Sequence, residues 1–217
     1  MKEKAKQAYE FVLYCYFGDM GDPVEAAIDR AYVDMASHTL TGLKNDPEKK
    51  WELRYRASEK IKQRMKSISA DYDRWHQKTC ELIQEIYIQK GVGFTYGQAQ
   101  KWLNMTMKYL YVFSLIFEDM EDKRLCEIPG FIRNHHEKLH IPIDNYILSD
   151  LSLQKYAPWS KMSMEDYNAC RKDMGEKDID WELEKWNMAS ELYKINDRTS
   201  YAYYKEKNSG PLSWLEP

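Results

Sequence analysis

The sequence predicts an all-α protein, and three observations carry that reading. Apolar residues recur at the three-to-four-residue spacing of a helix almost throughout, and period-two alternation is almost absent. Only nine Gly and seven Pro occur in 217 residues, too few for the turns of a β-sandwich. Hydrophobic residues at 43% and charged residues at 31% exclude a disordered chain. The 17 Tyr, 7 Trp and 6 Phe exceed what a minimal core requires.

The elements follow in order. A first helix covers about 5–17 and stops at Gly18. Asp22-Pro23 supplies an N-cap and a first-turn proline for a helix to about Ser37. After a polar joint at 41–47, a charged helix spans about 48–68, and another begins near Asp71 and ends at Gly91. Thr95-Tyr96-Gly97-Gln98 is a capping box: the Thr95 hydroxyl accepts from the amide three residues on, and Gln98 reaches back. The helix it opens should run to about Phe117, followed by a charged connector over 118–127 and a short segment with Pro129-Gly130. Pro142 keeps Ile141 extended, and Asp144 can cap a helix over about 145–154. Ser163 and Asp180 open two last helices near 164–174 and 181–195, before a Tyr- and Lys-rich tail.

The apolar stretch near the start is interrupted by Glu3 and Glu10, and no small-residue cleavage site follows, so it does not read as a signal peptide. The longest apolar run, 103–117, is broken by Asn104 and Lys108 and is too short to span a bilayer. Cys15, Cys80, Cys126 and Cys170 lie far apart with no C-x-x-C pair, which fits reduced thiols in a cytoplasmic protein. The formal charge of −3 excludes a bulk polycation but hides segregation. Residues 48–66 hold eight bases against three acids, 86–117 hold Lys90, Lys101 and Lys108 with no acid, and 162–191 hold nine acids against four bases. A polyanion could therefore meet a basic face on an acidic molecule; the alternative for 48–66 is a solvated helix laced by i,i+4 pairs.

On the helix opened by Thr95, Lys101, Asn104, Met105 and Lys108 share one face, with Leu103, Met107, Leu110, Tyr111 and Ser114 expected opposite as the core stripe. Lys101 sits in the second turn of a mostly apolar helix, near its positive end. Dipole and desolvation there favour the neutral, nucleophilic amine suited to Schiff-base chemistry. The structural alternative is a lysine snorkelling out of a core helix. Asp144, after a proline-fixed apolar approach and before an apolar helix, is held rigidly where the dipole favours a carboxylate. Its alternative is a simple N-cap.

Together, Gln100-Lys101-Trp102-Leu103-Asn104 and His140-Ile141-Pro142-Ile143-Asp144-Asn145-Tyr146-Ile147 resemble the helix–hairpin–helix DNA glycosylases, nearest to archaeal-type 8-oxoguanine DNA glycosylases. The shared layout is a Gly-containing turn, a lysine-bearing helix, then an extended apolar stretch ending in aspartate at a helix start. The resemblance covers about 50 residues. It implies one helical glycosylase-like domain over 1–217, with possible lobes 1–43 with 145–217, and 44–144, around a cleft. It implies Lys101 and Asp144 as the catalytic pair, acting on double-stranded DNA with a damaged or modified base, with strand cleavage through the lysine imine. The role would be base-excision repair or defence against foreign modified DNA. DNA contacts would come from Gly91, Gly93, Gly97, Lys90, Lys108 and Arg54, and the extruded base would stack on Tyr96, Trp102, Trp181 or Trp186. The chain departs from the family pattern in three ways. Lys101 and Asp144 are 43 residues apart, implying an inserted connector over 118–138; Gly91 and Gly93 lie well upstream of Lys101; and the iron–sulfur cysteines of some relatives are missing, so no cofactor is implied.

Two other classes stand beside this one. Arg133-Asn134-His135-His136-Glu137-Lys138-Leu139-His140 resembles the R-x(4–6)-H motif of HEPN-type ribonucleases, although Pro142 follows at once. A non-enzymatic helical interaction module, with Lys101 and Asp144 structural, is the other. Cys126, His135, His136 and His140 lack the spacing of a zinc site and read as part of a solvated basic loop.

Overall fold

The computed structural model describes residues 3–36 and 39–186, and every regular element among them is helical. The α-helices are α1 (Glu3–Phe17), α2 (Pro23–Ala36), α3 (Pro47–Met65), α4 (Tyr72–Ile88), α5 (Tyr96–Asp119), α6 (Gly130–Asn134), α7 (Asn145–Asp150) and α8 (Met164–Met174). Single 3-10 turns lie at Thr41–Leu43, Lys123–Glu127, His136–Lys138 and Trp159–Lys161. Residues 1–178 form one unit, and a helical segment over 179–186 begins a second, 179–217, of which only that segment is described. No helix among the described residues is long and apolar enough to cross a membrane.

The caps are those the sequence specifies. Asp22, Asp71, Thr95, Asp144 and Ser163 each accept from the backbone amide three residues on, and Asp46 does the same for α3. At α5 both halves of the box form, with Gln98 Oε1 accepting from Thr95 N at 2.8 Å. Such a cap is worth about 1 kcal/mol, and it fixes where the turn bearing Lys101 begins.

α5 departs from the expected two-faced helix. Every residue from Tyr96 to Tyr111 is buried, so the Lys101 face is covered as fully as the Leu103 stripe. The reason is position: α2 packs along α5, α4 and α8 flank it, and α3 lies across α2 and α4. The α2–α5 packing also joins residues placed in separate lobes by the sequence reading, so the 44–144 lobe is not set apart from 1–43. Gly97 lets α5 start against the Trp159–Lys161 turn. Its amide donates to Met162 O at 3.0 Å, and a Cβ there would lie 1.7 Å from Trp159 O.

Several ends differ from expectation. α3 stops at Met65, three residues short of the expected 68, and α7 at Asp150, four short of the expected 154. α7 ends because Ser152, at φ 54°, is left-handed, with Leu153 N–H donating to Leu148 O at 2.8 Å. The end of α5 is closed in the same way through Glu121, at φ 51°. The connector over 118–138 is folded: it holds the Lys123–Glu127 turn and α6, both packed on α5. The helix expected over 181–195 is present as 179–186, and its remainder lies outside the described residues.

Candidate functional site

α5 and the extended stretch before α7 bring Lys101 and Asp144 together. Lys101 Nζ lies 2.6 Å from Asp144 Oδ2, although the residues are 43 apart in sequence. The Lys101 side chain is 8% exposed and that of Asp144 16%, so the pair sits at the edge of the core with a narrow solvent-facing side. Asp144 divides its oxygens, Oδ2 toward Lys101 and Oδ1 accepting from the Ile147 amide at 3.0 Å. The contact departs from the sequence expectation of a neutral Lys101 amine. Lys101 is met by a carboxylate at hydrogen-bond distance, and because α7 has only six residues, the partner of the Asp144 charge is Lys101 more than a helix dipole.

Adjacent amides hold this geometry. Gln100 Nε2 donates to Ile143 O at 2.9 Å, and its Oε1 accepts from Ile143 N at 3.2 Å, so the neighbour of Lys101 clamps the neighbour of Asp144. Gln100 Oε1 also accepts from Asn104 Nδ2 at 3.0 Å, and Asn104 Nδ2 reaches Ile141 O at 3.1 Å. All of these groups are buried, so their loss would leave peptide groups unpaired in an apolar interior. The sequence reading placed Asn104 on the Lys101 face but gave Gln100 no role. The available signal was two amides, i and i+4, inside an otherwise apolar helix.

From Asn104 the network runs outward through two histidines. Asp73 is acceptor-only, so His140 donates to Asp73 Oδ1 from Nε2, at 2.7 Å. His140 Nδ1 then accepts from the Tyr167 hydroxyl at 2.9 Å, that hydroxyl accepts from Asn104 Nδ2 at 3.1 Å, and Asn104 Oδ1 accepts from His76 Nε2 at 2.7 Å. The two hydrogens of Asn104 Nδ2 are shared among Gln100 Oε1, Ile141 O and the Tyr167 hydroxyl, and each remaining link has one donor and one acceptor when both imidazoles are neutral. Burial pushes the His140 pKa down from 6.5 to about 4, and burial followed by repulsion from His140 pushes that of His76 well below its usual value. The hydrogen bond from His140, with Arg171 NH1 at 2.8 Å, holds the Asp73 carboxyl below the usual carboxylate range. A cavity of about 420 Å³ borders this end of the network, lined by Asp73, His76, Tyr96, Tyr167 and Arg171 among others.

The other expected site residues scatter. Trp102 is a core residue: it is fully buried, donates from Nε1 to Ile28 O at 2.9 Å and packs edge-on to Tyr32, so no base can stack on it. Tyr96 is buried but lines the 420 Å³ cavity. Trp181 and Trp186 belong to the second unit; Trp186 donates to Glu182 Oε1 at 2.6 Å. Lys108 is buried and cannot meet a phosphate from that position, and Lys90 pairs with Glu52 at 3.1 Å. Gly97 is a close-approach glycine, but what approaches it is the protein's own Trp159 carbonyl. Gly91, at φ +69°, terminates α4: its amide donates to Ile88 O and that of Val92 to Tyr87 O, the Schellman pairing. Gly91 and Gly93 nonetheless face open space and line a small cavity with Lys49. Arg54 is 2.8 Å from Asp29 and lies between the rings of Tyr32 and Trp51. Of the ribonuclease-like motif, Arg133 is exposed on α6 while His140 is buried beyond a separate 3-10 turn.

No family model matches the chain, and neither does any curated protein or solved structure.

Proposed function

We propose that the protein is a DNA glycosylase with lyase activity, in which Lys101 and Asp144 act on one extruded nucleotide. The carrying observation is their 2.6 Å approach, an amine and a carboxylate from distant segments placed at the core's edge by the Gln100 clamp. Duplex DNA is the partner, and an oxidised guanine or a bulkier modified base is the target.

The chemistry follows from the pair. As the glycosidic bond breaks, the departing base takes a proton from the Lys101 ammonium and leaves neutral, while Asp144 stabilises the positive charge developing on the sugar. The freed amine attacks the anomeric carbon. Asp144 then accepts the proton released from the new secondary ammonium, the sugar ring opens to an imine, and β-elimination cleaves the strand. No cofactor enters any step. The nucleoside reaches Lys101 through the edge where Asp144 is 16% exposed, and binding parts the two side chains.

A second reading has its own support: the same low exposure suits a structural brace in a helical interaction module, and five cavities among the described residues are lined by neither Lys101 nor Asp144. One experiment separates the two. Duplex DNA carrying 8-oxoguanine, or a panel of other altered bases, is incubated with the protein and borohydride. The glycosylase gives a covalent adduct that Lys101→Ala abolishes and that Asp144→Asn slows on the order of 100-fold. No adduct on any altered base leaves the brace.

A further inference from the structure

A second site lies on α2 and α3, away from the Lys101 pair. A cavity of about 450 Å³, within the range of small-ligand sites, is lined by Tyr32, Leu40, Leu43 and the side chains of Lys44, Lys50, Trp51 and Arg54, with no acid in its wall. Trp51 is 65% exposed, and Tyr55, one turn on, is also exposed. The Arg54 guanidinium lies 4.9 Å from the Trp51 ring centre and 4.7 Å from that of Tyr32. Asp29 fixes it from one side at 2.8 Å, which holds the cation beside both rings. Other bases of the 48–66 run are consumed internally: Arg56 by Glu52, and Lys62 by Asp22 and Glu25.

The cavity does not stand alone. It shares Leu40 and Leu43 with the smaller cavity formed by Gly42, Asp46, Lys49, Gly91 and Gly93, whose one acid, Asp46, has Oδ1 taken up by the Lys49 amide as the cap of α3. Gly42, Gly91 and Gly93 have nothing within 4 Å of the place a side chain would occupy, so backbone and ligand can approach closely there. The result is a strip with an aromatic face at one end, glycine turns at the other, and Lys44, Lys49 and Lys50 along it. An open indole beside lysines fits a base stacked next to its own phosphates, the combination by which proteins hold unpaired strands.

We propose that this strip binds a single-stranded stretch of DNA, with one unpaired base on Trp51 and its phosphates on Lys44 and Lys50. The stacking and charge arguments stand by themselves; the assignment to DNA in preference to RNA rests on the proposed function.

The test is fluorescence anisotropy of a labelled DNA strand of about 12 nucleotides with the full chain at low salt. Trp51→Ala should weaken binding on the order of tenfold or more, and Trp51→Phe should retain most of it. Lys44→Gln and Lys50→Gln should each reduce the salt slope by about 0.7. Because Trp51 is exposed, these variants should keep the thermal midpoint of the parent, which confirms that they fold. Unchanged affinity in Trp51→Ala, or equal binding of an abasic strand of the same length, overturns the stacking site. Equal or tighter binding of the matching RNA overturns DNA as its ligand. Borohydride trapping by Trp51→Ala at saturating DNA reads the Lys101 chemistry separately, so either proposal can fail while the other stands.

Discussion

Removing one member of the Lys101–Asp144 pair strands the other at the edge of the core. Asparagine is as good an N-cap as aspartate, so Asp144→Asn keeps the hydrogen bond to the Ile147 amide and removes the charge and the acceptor that face Lys101. That variant should lose about 3 kcal/mol, read from urea unfolding, and Lys101→Met combined with it should cost clearly less than the two single changes added together. Additive losses would show that the two charges do not stabilise each other. Gln100→Leu should cost about 2 kcal/mol, because both peptide groups of Ile143 lose their buried partner. Lys101 and Asp144 each carry a local signature, a charge within an apolar helix and an acid after a fixed turn, and the family resemblance of the two stretches is what joined them as a pair. Gln100 received no role, since a clamp on a residue 43 positions away has no local pattern.

Helix ends decide how these elements are placed, and they differ in how well the residue suits the backbone. Gly91, at φ +69°, suits it; Gly91→Ala should cost about 1 kcal/mol. Glu121 and Ser152 adopt the same left-handed geometry with a side chain, at φ 51° and 54°. Glu121→Gly and Ser152→Gly should therefore each raise stability by several tenths to about 1 kcal/mol, measured as a shift in thermal midpoint, and a lowered midpoint in both would refute the strain argument. Gly97→Ala is the harshest single change available in α5. Its Cβ would meet the Trp159 carbonyl, so soluble expression or a cooperative transition should be lost. Caps with a side-chain signature, such as Thr95 with Gln98, were legible to the residue. The ends at Glu121 and Ser152 were not, because nothing in a glutamate or serine announces a left-handed turn.

At the scale of the whole molecule, the buried network makes stability depend on pH in one direction. In the unfolded chain His140 titrates near 6.5, and in the folded protein burial holds it near 4. Between those values the unfolded state binds the extra proton, so stability falls as pH drops from about 6.5 to about 4, by roughly 3 kcal/mol for His140 alone. His76 acts with the same sign. Asp73, held low chiefly by the hydrogen bond from His140, adds a further loss as acidification reaches the ordinary carboxylate range. Denaturant midpoints measured across that window should decline steadily; a flat profile would show that His140 is solvated in the folded state. By itself the sequence determined the helical class and most helix starts, since helical period, caps and turn residues act between neighbours in the chain. Tertiary structure alone decided that α5 is buried on every side, that Trp102 and Lys108 are enclosed, and that Lys101 meets Asp144. Those outcomes depend on which helices cover which faces, a matter of packing between segments far apart in the chain.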